Sequence, residues 1–500
     1  MTNIQSQNND TRATIFYFND LHGNVKGAKK IKVASDKFDA KYQTSSNDCF
    51  KFCAGDSYIG RTKNNFIGRF LNSLNLDGMT LGNHEFDMGS KQLSKFVDSI
   101  RCKIFAANID YKKGNNFEDD LASERIVKSS IINKNGHKYG VIGVTAEDIF
   151  DTTSKDSQED FTDVGFMNLS QTTQAIQEEI AKLKQQGINK IILISHSGID
   201  NDKKLAQTLD GVDIIIGGHS HHSLEGVEAQ KNYFLSKSGE PVLIVQAGQN
   251  GEKYGELNVV FDEQGKLKAA TNTLTSLKDY NTSLVVNYLE NISFDKLEQL
   301  GELTDTLKKM KRATIKEEHP LACFVADAMR LKSGAQIAFH NKGCQKTDLK
   351  AGIITNRDIG TALPYINSVS MYKFSEKDII DALKTTLNEP NESHSIGNIQ
   401  VSGMEYTITK DNKLKDVYVT SGDTKIKLDE NNPSTDKFFT VAYGAFFAGG
   451  PGALKMLHAP DKRIKKFEWD DQQATIELIK QRTKNGKIEI KTDGRIKVEQ

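Results

Sequence analysis

From about residue 13 to residue 275, apolar runs of strand character alternate with helix-like segments, and five of those runs stop on a good metal ligand. TIFYFN (14–19) leads into Asp20-Leu21-His22, CFKFCAG (49–55) into Asp56, and Met79-Thr80-Leu81-Gly82 into Asn83-His84-Glu85. KIILIS (190–195) is followed by His196, and VDIIIGG (212–218) by His219-Ser220-His221. PVLIVQAG (241–248) is a further buried run. Continuous apolar runs separated by amphipathic helices describe an α/β domain with both sheet faces covered. Open α/β sheets bind ligands at the carboxyl ends of their strands. The five ends therefore bring Asp20, His22, Asp56, Asn83, His196, His219 and His221 to one edge.

The intervening segments carry helical spacing. NNFIGRFLNSLNLDG sets Phe66, Phe70 and Leu74 on one face, which ends near Gly78. SQTTQAIQEEIAKLKQQG does the same with Ile176, Ile180 and Leu183 and stops at Gly187. In Asp20-x-His22 and His219-x-His221 an extended backbone would point both side chains the same way. Carboxylate and amide oxygen with imidazole nitrogen suit Zn²⁺, Mn²⁺ or Fe. Seven such ligands exceed one tetrahedral ion and fit two ions sharing a carboxylate. Two ions about 3.5–4 Å apart clamp a phosphoryl oxygen and lower the pKa of a bridging water. A single Asp-x-His is more often a turn, and a lone histidine such as His196, His222 or His340 is more often structural. Five ligand-bearing strand ends in one domain are not explained that way.

A chain of 500 residues exceeds what one core serves, so two domains are expected. Residues 1–12 read as a polar tail, 13–275 as the first domain, 276–312 as a linker helix region or an N-terminal element of the second domain, and 313–500 as the second domain. HPLACFVADAMRLKSGA (319–335) reads as a helix with Pro320 in its first turn and Leu321, Val325, Ala328 and Leu331 along one side. AQIAFHN (335–341) reads as a strand, and SEKDIIDALKTTL (375–387) as a helix capped by Ser375 and Asp378. Lys plus Arg equal Asp plus Glu at 66 each, which gives no support for a nucleic-acid or membrane-surface binder. The N-terminus shows no signal pattern, and no run of about 18 apolar residues occurs. Five scattered cysteines argue against a disulfide framework. The expectation is a cytoplasmic monomer or simple homo-oligomer, or an exported one if a signal was removed or export is unconventional.

The set Asp20-Leu21-His22-Gly23, Gly55-Asp56, Gly82-Asn83-His84-Glu85-Phe86-Asp87, His196-Ser197-Gly198 and Gly217-Gly218-His219-Ser220-His221 resembles the calcineurin-like metallophosphoesterases. More narrowly it is similar to the 5′-nucleotidase family, whose metal domain precedes a substrate-binding domain. The likeness spans residues 14–260, and Phe105-Ala106-Ala107-Asn108 and Gln246-Ala247-Gly248 fall where that family has similar stretches. It implies a four-layered α/β/β/α domain followed by a smaller α+β domain, so α+β overall. It implies two divalent ions, Mn²⁺ or Zn²⁺. Asp20, His22 and His221 would hold one, Asn83, His196 and His219 the other, and Asp56 would bridge. His221 stands where many relatives carry Gln. His84 and Asp87 match the family's catalytic pair: His84 would stabilise the transferring phosphoryl group or assist the leaving oxygen, oriented by Asp87. The nucleophile would be metal-activated water, without a covalent intermediate.

The implied partner is a small-molecule phosphate ester, first a nucleoside 5′-monophosphate. Cyclic nucleotides, nucleotide-sugar diphosphates and non-nucleotide phosphates are alternatives with the same chemistry. A non-catalytic binding protein would need a lost ligand or a lost His84, and the sequence shows neither. In the second domain, Ala351–Thr355 and Leu363–Ser368 resemble the nucleoside-site stretch. Tyr365 would be one wall of a base sandwich, Asn367 a ribose contact, and Phe446 the second wall, with Phe447 as the alternative. Stacking on such walls contributes about 1–3 kcal/mol per base. The family's glycine-rich turn ending in Arg is here Asn341-Lys342-Gly343-Cys344-Gln345-Lys346. Lys346 keeps the phosphate-binding charge but loses the bidentate fork. Lys342 and Cys344 replace glycines that let backbone approach a ligand, and Pro451 replaces an expected Asp.

Overall fold

The computed structural model describes residues 10–58, 64–152, 161, 163–293, 298–309, 317–345, 347–363, 366–388, 399–445, 457 and 459–499. They form two compact units, one up to Ser293 and one from Glu298 onward.

The first unit contains two sheets. Strands β1 (Thr11–Phe18), β2 (Asp48–Ala54) and β3 (Gly78–Thr80) run parallel and continue into Ile104–Phe105 and Ile126–Val127. Lys253–Phe261 and Leu267–Ser276 complete this seven-stranded sheet, antiparallel, beyond β1. The six-stranded sheet is parallel through β4 (His137–Val144), β5 (Ile191–Ser195), β6 (Ile214–Ile216) and Pro241–Val245. An antiparallel strand closes each edge.

Alternation along β1 explains the layering. Ile15 and Tyr17 lie between the sheets with Phe50, Phe52, Ile192, Ile194, Ile214 and Ile216. Phe16 and Phe18 face outward. Phe16 meets Phe38 of helix α1 (Val25–Tyr42) and Phe18 meets Phe70 of helix α2 (Asn64–Leu74), with ring centroids 5.5 and 6.5 Å apart. Behind the other sheet, Ile176, Ile180 and Leu183 of helix Leu169–Gln185 pack with Ile142 and Leu193. The order is helix, sheet, sheet, helix, as the resemblance implies. The central parallel strands are buried on both faces, which is why their sequence runs are continuously apolar. Each buried Phe contributes about 1.5–3 kcal/mol.

Caps set several boundaries. The Asn24 side chain accepts from the Gly27 N–H at 2.9 Å and starts α1. Asn168 and Gln171 form a capping box for Leu169–Gln185, and Gly187 lies just beyond its end. Helix α2 stops at Leu74, where Asn75 turns left-handed (φ 53°), so Gly78 opens β3 rather than ending the helix.

The 276–312 segment is not one linker helix. Ser276 closes a strand, and Leu284–Ser293 is a helix packed on α1 and α2 in the first unit. Gln299–Leu303 is a strand that pairs antiparallel with Gly352–Thr355 in the second. Leu300, Leu303 and Leu307 are drawn into that unit's core beside Leu321 and Val325.

The second unit is built on a five-stranded sheet that includes Ile337–Asn341, Ser368–Ser375 and Phe438–Gly444. Helix Pro320–Ser333 is buried from Leu321 through Met329, so it is more than one-sided. Leu331, expected on its apolar face, is half exposed. Ser375 and Asp378 exchange hydrogen bonds that cap Glu376–Asn388. All five cysteines are free thiols. No helix among the described residues is long and apolar enough to cross a membrane.

Candidate metal centre

The ends of β1, β2, β3, β5 and β6 meet at one edge of the first unit. Backbone bonds fasten the first two: Asp20 N–H to Gly55 O at 3.1 Å, His22 N–H to Asp56 O at 2.7 Å and Gly23 N–H to Ser57 O at 3.0 Å. Asp20, His22, Asp56, His219 and His221 are all left-handed, with φ of 52°, 50°, 51°, 71° and 57°. This corrects the extended-backbone expectation: the paired side chains converge through tight turns, not through strand alternation. Such conformations cost an L-residue about 1–3 kcal/mol each and persist only where the surroundings hold them. Crowding enforces small residues alongside. A Cβ on Gly82 would lie 2.1 Å from Asp56 Oδ1, and one on Gly55 2.6 Å from His196 Nδ1.

The side chains form three overlapping groups: Asp20 with His22 and His221, His22 with Asp56 and His84, and Asp56 with His196 and His219. Within each, the potential ligand atoms lie inside 4.8 Å of one another. His221 Nε2 is 3.3 Å from Asp20 Oδ1, and His22 Nε2 is 3.5 Å from Asp56 Oδ2. His196 Nε2 is 3.2 Å from the same Asp56 oxygen. Asn83 joins through its Oδ1, 2.9 Å from His219 Nδ1. Asp56 therefore lies between the groups. His84 donates its backbone N–H to Asp56 Oδ1 at 2.9 Å, and its Nδ1 meets Asp87 Oδ2 at 2.9 Å.

Three observations fit divalent cations. Asp20 and Asp56 are buried carboxylates whose ion partners among the described residues are histidines. Such groups are costly without compensating positive charge. Burial alone would raise Asp56, but His196, His22 and His84 outweigh it and hold its carboxyl well below the usual range. Burial would likewise depress His196, yet Asp56 and Asp20 push it up to about 10. The second is His196, whose Nδ1 bonds the Ala54 carbonyl at 2.6 Å and whose buried Nε2 is turned to the Asp56 and Asp20 carboxylates, 3.2 and 3.9 Å away. The third is His219, whose two ring nitrogens both face oxygen acceptors, Asn83 Oδ1 at 2.9 Å and Asp148 Oδ2 at 3.2 Å. A neutral imidazole carries one N–H and cannot satisfy both. An imidazolium would satisfy both, as would a neutral ring that donates to Asp148 with a cation beside Nδ1 and the amide oxygen.

Several supporting residues were not singled out from the sequence. Glu85 is buried and accepts three backbone N–H groups, from Gly82 at 2.6 Å and from Asp56 and Tyr58 at 2.9 Å, tying the β2 and β3 ends together. Asn19 donates to Asp20 Oδ2 at 2.5 Å and to Gly248 O at 2.7 Å. Gln246 donates to Gly218 O at 2.8 Å and accepts from Ser220 at 3.2 Å, steadying the turn that carries His219 and His221. Asp148 follows β4, a sixth strand reaching the same edge. Thr145, Ala146 and Glu147 separate it from the strand end, so the positional rule does not reach it.

In the second unit, Asn367 is buried, and its amide Nδ2 bonds Asp471 Oδ2 at 2.7 Å. Lys342 is buried in a 3-10 turn, and burial lowers it to about 8. Lys346, Tyr365, Phe446 and Phe447 lie outside the described residues.

A two-layered sheet domain with these carboxylate, amide and imidazole side chains gathered at one strand edge has the architecture of the metallophosphoesterase class. Residues 13–223 match the calcineurin-like phosphoesterase family, and residues 299–459 match the 5′-nucleotidase C-terminal domain. The chain belongs to the calcineurin-like phosphoesterases, hydrolases of phosphoric esters that use divalent metals, in the form joined to a 5′-nucleotidase C-terminal domain. It is 28% identical, over 97% of its length, to the trifunctional nucleotide phosphoesterase protein YfkN of Bacillus subtilis (strain 168), and covers 35% of that longer protein. It is 27% identical to the 5′-nucleotidase-related protein of Glossina morsitans morsitans, covering 97% of this chain and 94% of the other. The 5′-nucleotidase precursor of Thermus thermophilus shares the fold with a TM-score of 0.60 and 23% identity, over 98% of this chain and 99% of that one.

Proposed function

We propose that this chain releases phosphate from nucleoside 5′-monophosphates at a centre of two divalent ions, Mn²⁺ or Zn²⁺. The observation that carries the reading is the position of Asp56 between two ligand groups, with His84 bonded to it through the backbone. Asp20, His22 and His221 would hold one ion and Asn83, His196 and His219 the other, with Asp56 shared. Ions bound there would supply Lewis acidity toward a phosphoryl oxygen and lower the pKa of a coordinated water. His84 is one-third exposed beside them, and Asp87 accepts from its Nδ1 and fixes the ring. Nε2 is then the nitrogen that meets the phosphoryl or leaving oxygen. The Asp20 and Asp56 carboxylates are themselves buried, while His221 stands exposed at the mouth of the group.

Nucleotides are favoured as substrates by the second domain's family and by relatives named for nucleotide phosphoesterase and 5′-nucleotidase activity. In that unit Lys346, Tyr365, Asn367 and Phe446 are the proposed contacts. A phosphate-release screen with Mn²⁺ tests the reading, using nucleoside 5′-monophosphates, cyclic nucleotides, nucleotide sugars and p-nitrophenyl phosphate. Fastest turnover of a 5′-monophosphate is expected. Faster turnover of another class moves the substrate but keeps the chemistry. No release from any ester favours a binding protein on this scaffold.

A further inference from the structure

We propose that Asp148 is a positioning residue of the metal centre, its carboxylate accepting the Nε2–H of His219 and so presenting Nδ1 as the ligand nitrogen. The inference rests on the proposed metal centre and adds a residue outside the ligand set. Asp148 Oδ2 lies 3.2 Å from His219 Nε2, on the side of the ring opposite Nδ1. Nδ1 lies with the other ligand atoms, 2.9 Å from Asn83 Oδ1. A ring nitrogen can ligate only through its lone pair, so the proton must sit on the far nitrogen. A carboxylate on that far nitrogen fixes the tautomer and the ring orientation and raises the ligand's basicity.

The position of Asp148 is built rather than incidental. It follows β4 across Thr145, which exchanges two hydrogen bonds of 2.9 Å with the Asn108 side chain. Ile149, the next residue, is fully buried, and the Asp148 carbonyl accepts from Thr152 N at 3.0 Å. Among the described residues His219 is its only ion partner, so no lysine or arginine draws the carboxylate away. The side chain is about one-third exposed, at 37%, so removing it leaves no sealed cavity.

The test uses the full chain stripped of metal, with Asp148→Ala and Asp148→Asn. Ala removes the acceptor outright, and Asn removes the charge while its amide can turn either the carbonyl oxygen or the N–H₂ toward Nε2. Mn²⁺ is titrated against a fluorescent chelator, and thermal unfolding of the metal-free proteins is recorded alongside. Wild type is expected to take up two equivalents. Both variants are expected to keep one at wild-type affinity and to weaken the other about 10–100-fold, with unfolding midpoints of the metal-free proteins unchanged. Two equivalents at wild-type affinity in both variants overturn the role of Asp148 and leave the centre standing. Equal weakening of both equivalents with a lowered metal-free midpoint shows a general structural role and also overturns it. A wild-type protein that takes up no metal overturns the centre itself.

Discussion

His84 donates its backbone N–H to Asp56 Oδ1 at 2.9 Å, so the residue proposed to act on the phosphoryl group is fastened to the residue proposed to bridge the ions. The bond is a main-chain one, so it survives any change of the His84 side chain. His84→Ala should therefore leave metal content at two equivalents while turnover falls about 10²–10⁴-fold, the usual span of a general acid or base. Elemental analysis and kcat on the same sample check both halves. Unchanged kcat would remove the imidazole from the mechanism.

Glu85 holds the frame on which Asp56 and Asn83 stand. Burial and the neighbouring Asp56 charge push its carboxyl up to about 7, against the pull of the N–H groups it accepts. Glu85→Gln replaces an oxygen with a donor facing N–H groups. The first unit should lose about 1–3 kcal/mol, the cost of leaving a buried polar group unpaired, and metal occupancy should fall with it. Chemical unfolding and metal analysis read the two effects. Wild-type values for both would mean that the strand ends hold their geometry without this carboxylate.

Much of this centre is legible in the sequence because strands buried on both faces read as unbroken apolar runs, and the residue that ends such a run stands at the sheet edge. Asp20, Asp56, His196 and His219 are found in that way. Asp148 is not. Thr145, Ala146 and Glu147 separate it from the end of β4, and glycines dilute that run. The left-handed turns at Asp20, His22 and His221 leave no mark in residue type, since Asp and His are compatible with either backbone. Glu85 is visible as part of a motif, but its work is to accept main-chain N–H groups, which no side-chain pattern records. The strand at Gln299–Leu303 was hidden by the charged, helix-compatible stretch around it and is fixed by pairing with Gly352–Thr355.

Acid should weaken the second unit through two histidines. Burial and the nearby Lys342 lower His319 to about 4, and burial and His319 lower His340 to about 3. Both are therefore neutral in the folded state while the unfolded chain protonates near 6.5. Their contribution is fully present above pH 6.5 and is lost as pH falls toward 4 and then 3. The slope is at most about 1.4 kcal/mol per pH unit for each group. Unfolding midpoints between pH 7 and pH 4.5 should fall, and His340→Gln should flatten that fall. An identical pH slope in the variant would assign the acid sensitivity to other groups.

Metal removal should act on the first unit through the same charges. With the ions gone, Asp20 and Asp56 remain buried, with histidines as their ion partners among the described residues. An ion that binds the folded unit stabilises it by RT ln(1 + [L]/Kd), about 4 kcal/mol at a thousandfold excess over Kd. Chelation should lower the first unit's unfolding midpoint, and Mn²⁺ should restore it. The second unit supplies none of the proposed ligands, so its midpoint should not move. Asp56→Ala removes the shared carboxylate and should abolish the Mn²⁺-dependent rise together with metal content. Calorimetry with and without Mn²⁺ on both proteins checks this. A full Mn²⁺ shift in Asp56→Ala would show that the two ligand groups bind independently and that Asp56 does not join them.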